Sequence, residues 1–193
     1  MALILLTGPT SEPVTLDEAK THLRVDIDED DDLIEALVAT AREHLETISR
    51  PRVAMVEQTW RYVADEWPPS SKLELRPYPL RSVESISYTD AAGAATAVSS
   101  GDYIVDTTSR PGRVVMRNGW PAATLREING LAIEFKAGYG TDAAAVPLPL
   151  RQAVLLLTSH WYETREPVLT SGAVGKEIPL TVKALFASWR QDV

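Results

Sequence analysis

Two stretches near the start of the chain repeat their apolar residues at helical spacing: Leu16, Ala19 and Leu23, then Leu33, Ile34, Leu37, Val38, Ala41, Leu45 and Ile48. Thr15-Leu16-Asp17-Glu18, after Pro13, has the form of a capping box, in which the threonine hydroxyl accepts a backbone N–H and the glutamate reaches back. A first helix is therefore predicted over 16–24. The second, over 29–49, must stop before Arg50-Pro51-Arg52, because proline offers no N–H and pushes the preceding residue toward extended backbone. Beyond Pro51 the period changes. The segments 53–64, 72–76, 82–89, 103–106, 114–117 and 131–137 read as strands, with alternation of faces or enrichment in Val, Thr, Trp and Tyr. In 82–89 strict alternation puts Val83, Ser85 and Ser87 on one face and Glu84, Ile86 and Tyr88 on the other. Turn chemistry separates the strands at Asp90-Ala-Ala-Gly93, Ser100-Gly101-Asp102, Arg110-Pro111-Gly112 and Asn118-Gly119.

From Pro147 the helical period returns. Leu150, Ala153, Val154, Leu157 and Trp161 predict an apolar core helix over 148–164 that opens at proline. Residues 165–177, with Pro167, Ser171, Gly172 and Gly175, read as a tether. Pro179 then opens a last amphipathic helix with Leu180, Val182, Leu185, Phe186 and Trp189 near one side and Lys183 and Arg190 off it. The order of elements gives an α+β protein. The domain reading is a single unit over 1–193, with a helical core (13–50 and 147–165), an inserted antiparallel β region (53–140) and a tethered C-terminal helix (178–193).

Composition narrows the chemistry. With 193 residues, 45% hydrophobic and 24% charged, the chain is long enough to bury a sizeable core without a staple. It has no cysteine, which excludes disulfides, thiolate metal sites and cysteine nucleophiles, and it has three histidines, His22, His44 and His160. The apolar run Leu3–Leu6 is too short for a signal-peptide core, so no secretion signal or membrane span is expected. Net charge is −8, and the first 50 residues hold 12 acids against 4 bases, so the excess is N-terminal. Most of it lies in Asp26–Asp32, where carboxylates face the free N–H groups of the second helix. An EF-hand reading fails there, since position 6 of the loop is Asp31 rather than Gly and position 12 is Leu37 rather than Glu. Docking of this acidic turn on a basic partner stays open.

No nucleophile elbow, phosphate loop or zinc-hydrolase helix occurs. Gly138-Tyr139-Gly140 lacks the third glycine of a dinucleotide fingerprint, with Ala143 in its place, and reads as a strand-to-helix turn. His160 with Glu163 and Arg165 is an acid–base grouping on a helix face better suited to packing, and His22 with Asp17 and Glu18 is a second, in which Glu18 and His22 form an i,i+4 pair that supports the helix without chemistry. Arg76, Arg81, Arg110, Arg113, Arg117 and Arg126 are scattered singly, which disfavours a nucleic-acid grip. The five Trp, at 60, 67, 120, 161 and 189, suit cores and contact surfaces, Trp189 being the one expected to be intermolecular.

Taken in order, Pro13–Val25, the acidic opening of the second helix, Glu57-Gln58-Thr59-Trp60, Pro79-Leu80-Arg81-Ser82-Val83, Ala137-Gly138-Tyr139-Gly140, His160-Trp161-Tyr162-Glu163-x-Arg165-Glu166 and Ile178-Pro179 are similar to the head-tail connector (adaptor) family of tailed bacteriophages and gene transfer agents. The resemblance spans nearly the whole chain and rests on order and spacing rather than on one motif. It implies a virion structural protein, assembled in the bacterial host cytoplasm as a ring, commonly of twelve subunits, at the particle neck. The ring would sit beneath the portal protein, pass DNA through its lumen without specific binding, and dock a tail-side stopper or terminator protein. It implies no catalytic residue, cofactor, metal or membrane. On this reading Leu180, Leu185, Phe186, Trp189 and Arg190 form the portal or subunit interface, because a short tethered helix is marginal alone and needs a surface to cover its apolar face. The rival readings are a small-molecule hydrolase using His160 and an architectural DNA-binding protein.

Overall fold

The computed structural model describes residues 1–49 and 52–164, together with Val182 and Leu185. The chain divides into two compact units, one formed by Met1–Thr10 and Pro51–Tyr139, the other by Ser11–Arg50 and Gly140–Val193.

The first unit is built of strands β1 (Ala2–Thr7), β2 (Gln58–Ala64), β3 (Lys72–Leu75), β4 (Leu80–Thr89), β5 (Ala95–Ala97), β6 (Tyr103–Asp106), β7 (Gly112–Met116) and β8 (Leu131–Ala137). A five-stranded sheet has the order β1-β2-β8-β4-β5 and a three-stranded sheet the order β3-β7-β6, with every pairing antiparallel. β8 lies at the centre of the larger sheet and obeys the period of two: Leu131, Ile133, Phe135 and Ala137 are fully buried, and the residues between them are half-buried. Trp60 stands opposite Phe135, and Ile86 opposite Ile133, so the core is stitched by cross-strand pairs. Leu75, Val114 and Met116 of the smaller sheet join the same cluster. Burying a side chain such as Phe135 contributes roughly 1.5 to 3 kcal/mol from its removal from water.

Strict alternation fails in β4. Its pairing with β8 shifts register between Leu80 and Ser82 and again between Val83 and Ser85, and each extra residue reverses the faces of those that follow. Leu80 and Ile86 are therefore both buried with Val83 packed on the same core, where alternation alone had put Val83 opposite Ile86. β1 and β5 are strands that the sequence pattern does not predict. The apolar run of β1 becomes a strand because it pairs with β2 from Ala2 opposite Val63 to Leu5 opposite Trp60. At the end of β8, Gly138 has φ 135°, and a Cβ there would stand 2.5 Å from the carbonyl oxygen of Val56, so only glycine fits. Gly138 N–H donates to the Pro79 carbonyl, and the chain bends at Gly138 and Tyr139.

The second unit holds α1 (Leu16–Leu23), α2 (Asp31–Ile48) and α3 (Leu148–Glu163). The capping box at Thr15 and Glu18 is formed, and α1 ends at Arg24, whose φ of 58° is left-handed. α2 and α3 pack together, burying Ile34, Val38, Ala41 and Leu45 on one and Leu150, Ala153, Val154 and Leu157 on the other. Of the segment expected to form the last helix, Val182 and Leu185 are helical, Val182 buried and Leu185 half-buried.

Candidate assembly surfaces

The helical unit spends its charges on holding itself together. Arg42, 5% exposed on α2, donates from Nε to Glu12 at 2.7 Å and from Nη1 to Glu46 at 3.2 Å, and Glu46 is 4% exposed. Burial opposes the guanidinium charge, but the hydrogen bond to Glu12 and the field of Glu46 outweigh it and raise its pKa. Arg151 of α3 donates to Glu18 and, at 2.9 Å, to the Pro13 carbonyl, fastening the start of α1 to α3. The Glu18 carboxyl is held below its ordinary pKa by the Thr15 backbone N–H first and Arg151 second. The acidic turn is likewise claimed from within. Lys20 Nζ reaches Asp28 at 2.8 Å and Asp31 at 2.7 Å, a clasp between α1 and the start of α2 that lowers the Asp28 pKa, and the Tyr162 hydroxyl donates to Asp30. Sequence spacing pointed to the helix dipole for these acids; the lysine clasp needs the fold to bring residues eight and eleven positions apart together.

Among the described residues none of the three histidines meets a second group suited to acid–base chemistry. His22 is exposed on α1. His44 meets the edge of Trp161 at 5.7 Å between ring centroids. His160 is half-buried on α3, and its backbone carbonyl accepts the Thr164 N–H that ends the helix. Among the described residues no three His, Cys, Asp or Glu side chains gather as a metal site. Arg165, the third member of the His160 grouping, lies outside the described residues.

In the strand unit three of the scattered arginines, Arg76, Arg81 and Arg113, are paired with acids, as is Arg61, while Arg126 donates to the Asn129 carbonyl. Arg81 meets Glu57 at 2.8 Å, Arg113 meets Asp106 at 2.7 Å, Arg76 meets Glu74 at 3.6 Å and Arg61 meets Glu134 at 2.5 Å. Asp106 also accepts from the Ser109 hydroxyl and backbone, and these bonds, with Arg113, hold its carboxyl at about 2. Cations bonded to carboxylates are poor material for neutralising phosphates. Trp60 is core, its Nε1 donating to Gln58 at 3.2 Å with the Arg52 guanidinium 4.7 Å above the ring. Trp67 stacks on Trp120 at 5.5 Å and meets Tyr88 edge-on at 5.3 Å, binding the loops at that end of the sheet.

Apolar surface is what the described residues leave open. In the helical unit a groove of about 610 Å³ has Val14, Leu16, Val38 and Ala39 along it and Glu12, Glu35 and Asp142 at its rim. In the strand unit a groove of about 740 Å³ lies beside β1, with Met1, Leu3, Tyr62, Pro68, Pro69 and Leu73 along it and Lys72, Glu74 and Arg76 also lining it. His160 lines neither. β1 itself exposes Ile4, Leu5 and Leu6. Of the residues expected to form an interface, Leu185 is half-buried in a helix, and Leu180, Phe186, Trp189 and Arg190 lie outside the described residues.

Comparison with known proteins gives these surfaces a setting. Three solved chains align with 100% of this chain and 97% of their own length at 25% identity. They come from the neck of an empty gene transfer agent particle computed with C6 symmetry (TM-score 0.82), the virion of a native gene transfer agent particle (0.82) and the neck of a native particle computed with C12 symmetry (0.79). No curated protein sequence matches. The family model of phage gp6-like head-tail connector proteins matches residues 13–109, from the start of the helical unit through most of the strand unit, and the chain belongs to that family.

Proposed function

We propose that this chain is a structural adaptor of the head-tail neck, acting through its surfaces and carrying out no reaction. One observation supports this above the rest: the alignment with neck chains of gene transfer agent particles runs the full length of the protein, so both units are accounted for together. In this reading the two units form one connector subunit. Copies form a ring, a dodecamer by analogy with the C12 neck, beneath the portal protein. The ring extends the DNA channel and offers its lower face to a tail-side stopper or terminator protein. The charge pattern suits a conduit. An acidic chain with Arg76, Arg81 and Arg113 engaged by carboxylates releases few counterions on meeting DNA and lets it slide past. No described helix is long and apolar enough to cross a membrane.

The C-terminal helix is assigned to portal or neighbour contact, with Leu180, Leu185, Phe186 and Trp189 as anchors and Arg190 beside them. Deleting residues 178–193 is expected to abolish portal attachment in a co-purification assay while the circular dichroism of a folded protein is kept. Attachment retained by the folded truncation would refute this assignment. A salt-dependent shift of duplex DNA by the intact protein in a gel would instead support the architectural DNA-binding reading.

A further inference from the structure

The five-stranded sheet ends in two open edges. At one end β1, Ala-Leu-Ile-Leu-Leu-Thr, carries no charge and no proline. Neighbouring residues of a strand point to opposite faces, yet Ile4 is 43% exposed, Leu5 47% and Leu6 38%. Apolar side chains are therefore part-exposed on both faces, although Leu3 packs against the core, and among the described residues no strand pairs with the outer edge. Sheets in folded proteins protect such an edge with lysine, proline, a bulge or a cover, because free N–H and C=O groups template another strand. Here the sole irregularity in the pairing with β2 falls between Leu5 and Thr7, which leaves Ala2–Leu5 straight and unguarded. At the other end β5, Ala95–Ala97, is exposed at all three residues within the uncharged run 91–100.

Resting on the ring reading above, we infer that the outer edge of β1 in one copy pairs with the β5 edge of the next, continuing the sheet from subunit to subunit. A ring of identical copies needs two different surfaces on each subunit that fit one another. Two open edges of one sheet meet that need, and repetition closes both at once. Because three strands separate β1 from β5 and every pairing is antiparallel, β1 and β5 run in the same sense, so the new pair is parallel. No like charges oppose the approach, and the small side chains of Ala95 and Ala97 allow close contact. The groove beside β1, mostly apolar, gives the added strand's side chains a surface to cover.

The chain has no cysteine, so Leu5→Cys and Thr96→Cys introduce the only thiols. Neck assemblies containing the double variant, treated with a short bis-maleimide and run on a denaturing gel, are expected to give a ladder beyond dimer, and each single variant monomer alone. Monomer from the double variant, in particles whose necks immunogold labelling shows to contain the protein, overturns the edge pairing and leaves the ring reading standing. Dimer from Leu5→Cys alone overturns it in favour of a two-fold β1 contact. Necks without the protein remove the connector reading and this inference together. Adding Ile4→Lys and Leu6→Lys to the double variant should cut the ladder at least tenfold with circular dichroism unchanged; an undiminished ladder contradicts the pairing.

Discussion

β8 and β1 flank the same strand, β2, and have opposite fates. β8 (Leu-Ala-Ile-Glu-Phe-Lys-Ala) alternates, and every second residue is fully buried. β1 has the more continuous apolar sequence, yet five of its six residues are exposed and the sixth is half-buried. Burial follows place in the sheet rather than hydrophobicity: the strand whose pattern distinguishes two faces is central, and the one with no polar face stands at an edge. An apolar edge strand without a polar side is a surface still awaiting cover, which is what an assembling subunit requires.

That contrast can be broken most forcefully in the core. Phe135→Ala should cost about 3 to 5 kcal/mol in urea unfolding through the cavity left behind, whereas Leu5→Ala should stay within about 0.5 kcal/mol in the isolated chain. Comparable losses at the two sites would mean that β1 is core after all. The helical unit allows a related test with charge. Arg42→Met takes the cation away from buried Glu46 and should cost about 3 kcal/mol; the same change at the Lys20 clasp, whose Asp28 partner is open to water, should shift the melting temperature far less. The smallest expected effect is at acid pH. The Asp106 carboxyl is depressed to about 2 when folded, against about 3.9 unfolded. Its stabilisation is therefore complete above the unfolded value and disappears as pH falls through about 2. Melting curves between pH 5 and pH 2 should show a shallower decline for Asp106→Asn than for the parent chain. Equal slopes would show that Asp106 makes no such contribution.

Much of the architecture was legible from period and punctuation. The capping box at Thr15, the proline opening at 147 and the runs 103–106 and 131–137 express local rules, and the elements follow them. Three features were hidden for identifiable physical reasons. β1 has neither alternation nor turn signals and exists by virtue of its pairing with a segment more than fifty positions away. The two bulges of β4 depend on its partner, so the face of Val83 could not be read from spacing. The Lys20 clasp and the Arg42 network arise where helices meet. The family was legible in the order of motifs across the chain, and the family model and solved necks agree with it. The open edge of β1 was not legible, because the strand carries no recognisable motif.

The most direct measurement is electron cryomicroscopy of particles assembled with and without this chain. The account predicts a closed ring of copies in the neck, its density fitted by both units, and loss of the head-tail joint when the chain is withheld. Intact necks without it, or copies found elsewhere in the particle, would contradict the account.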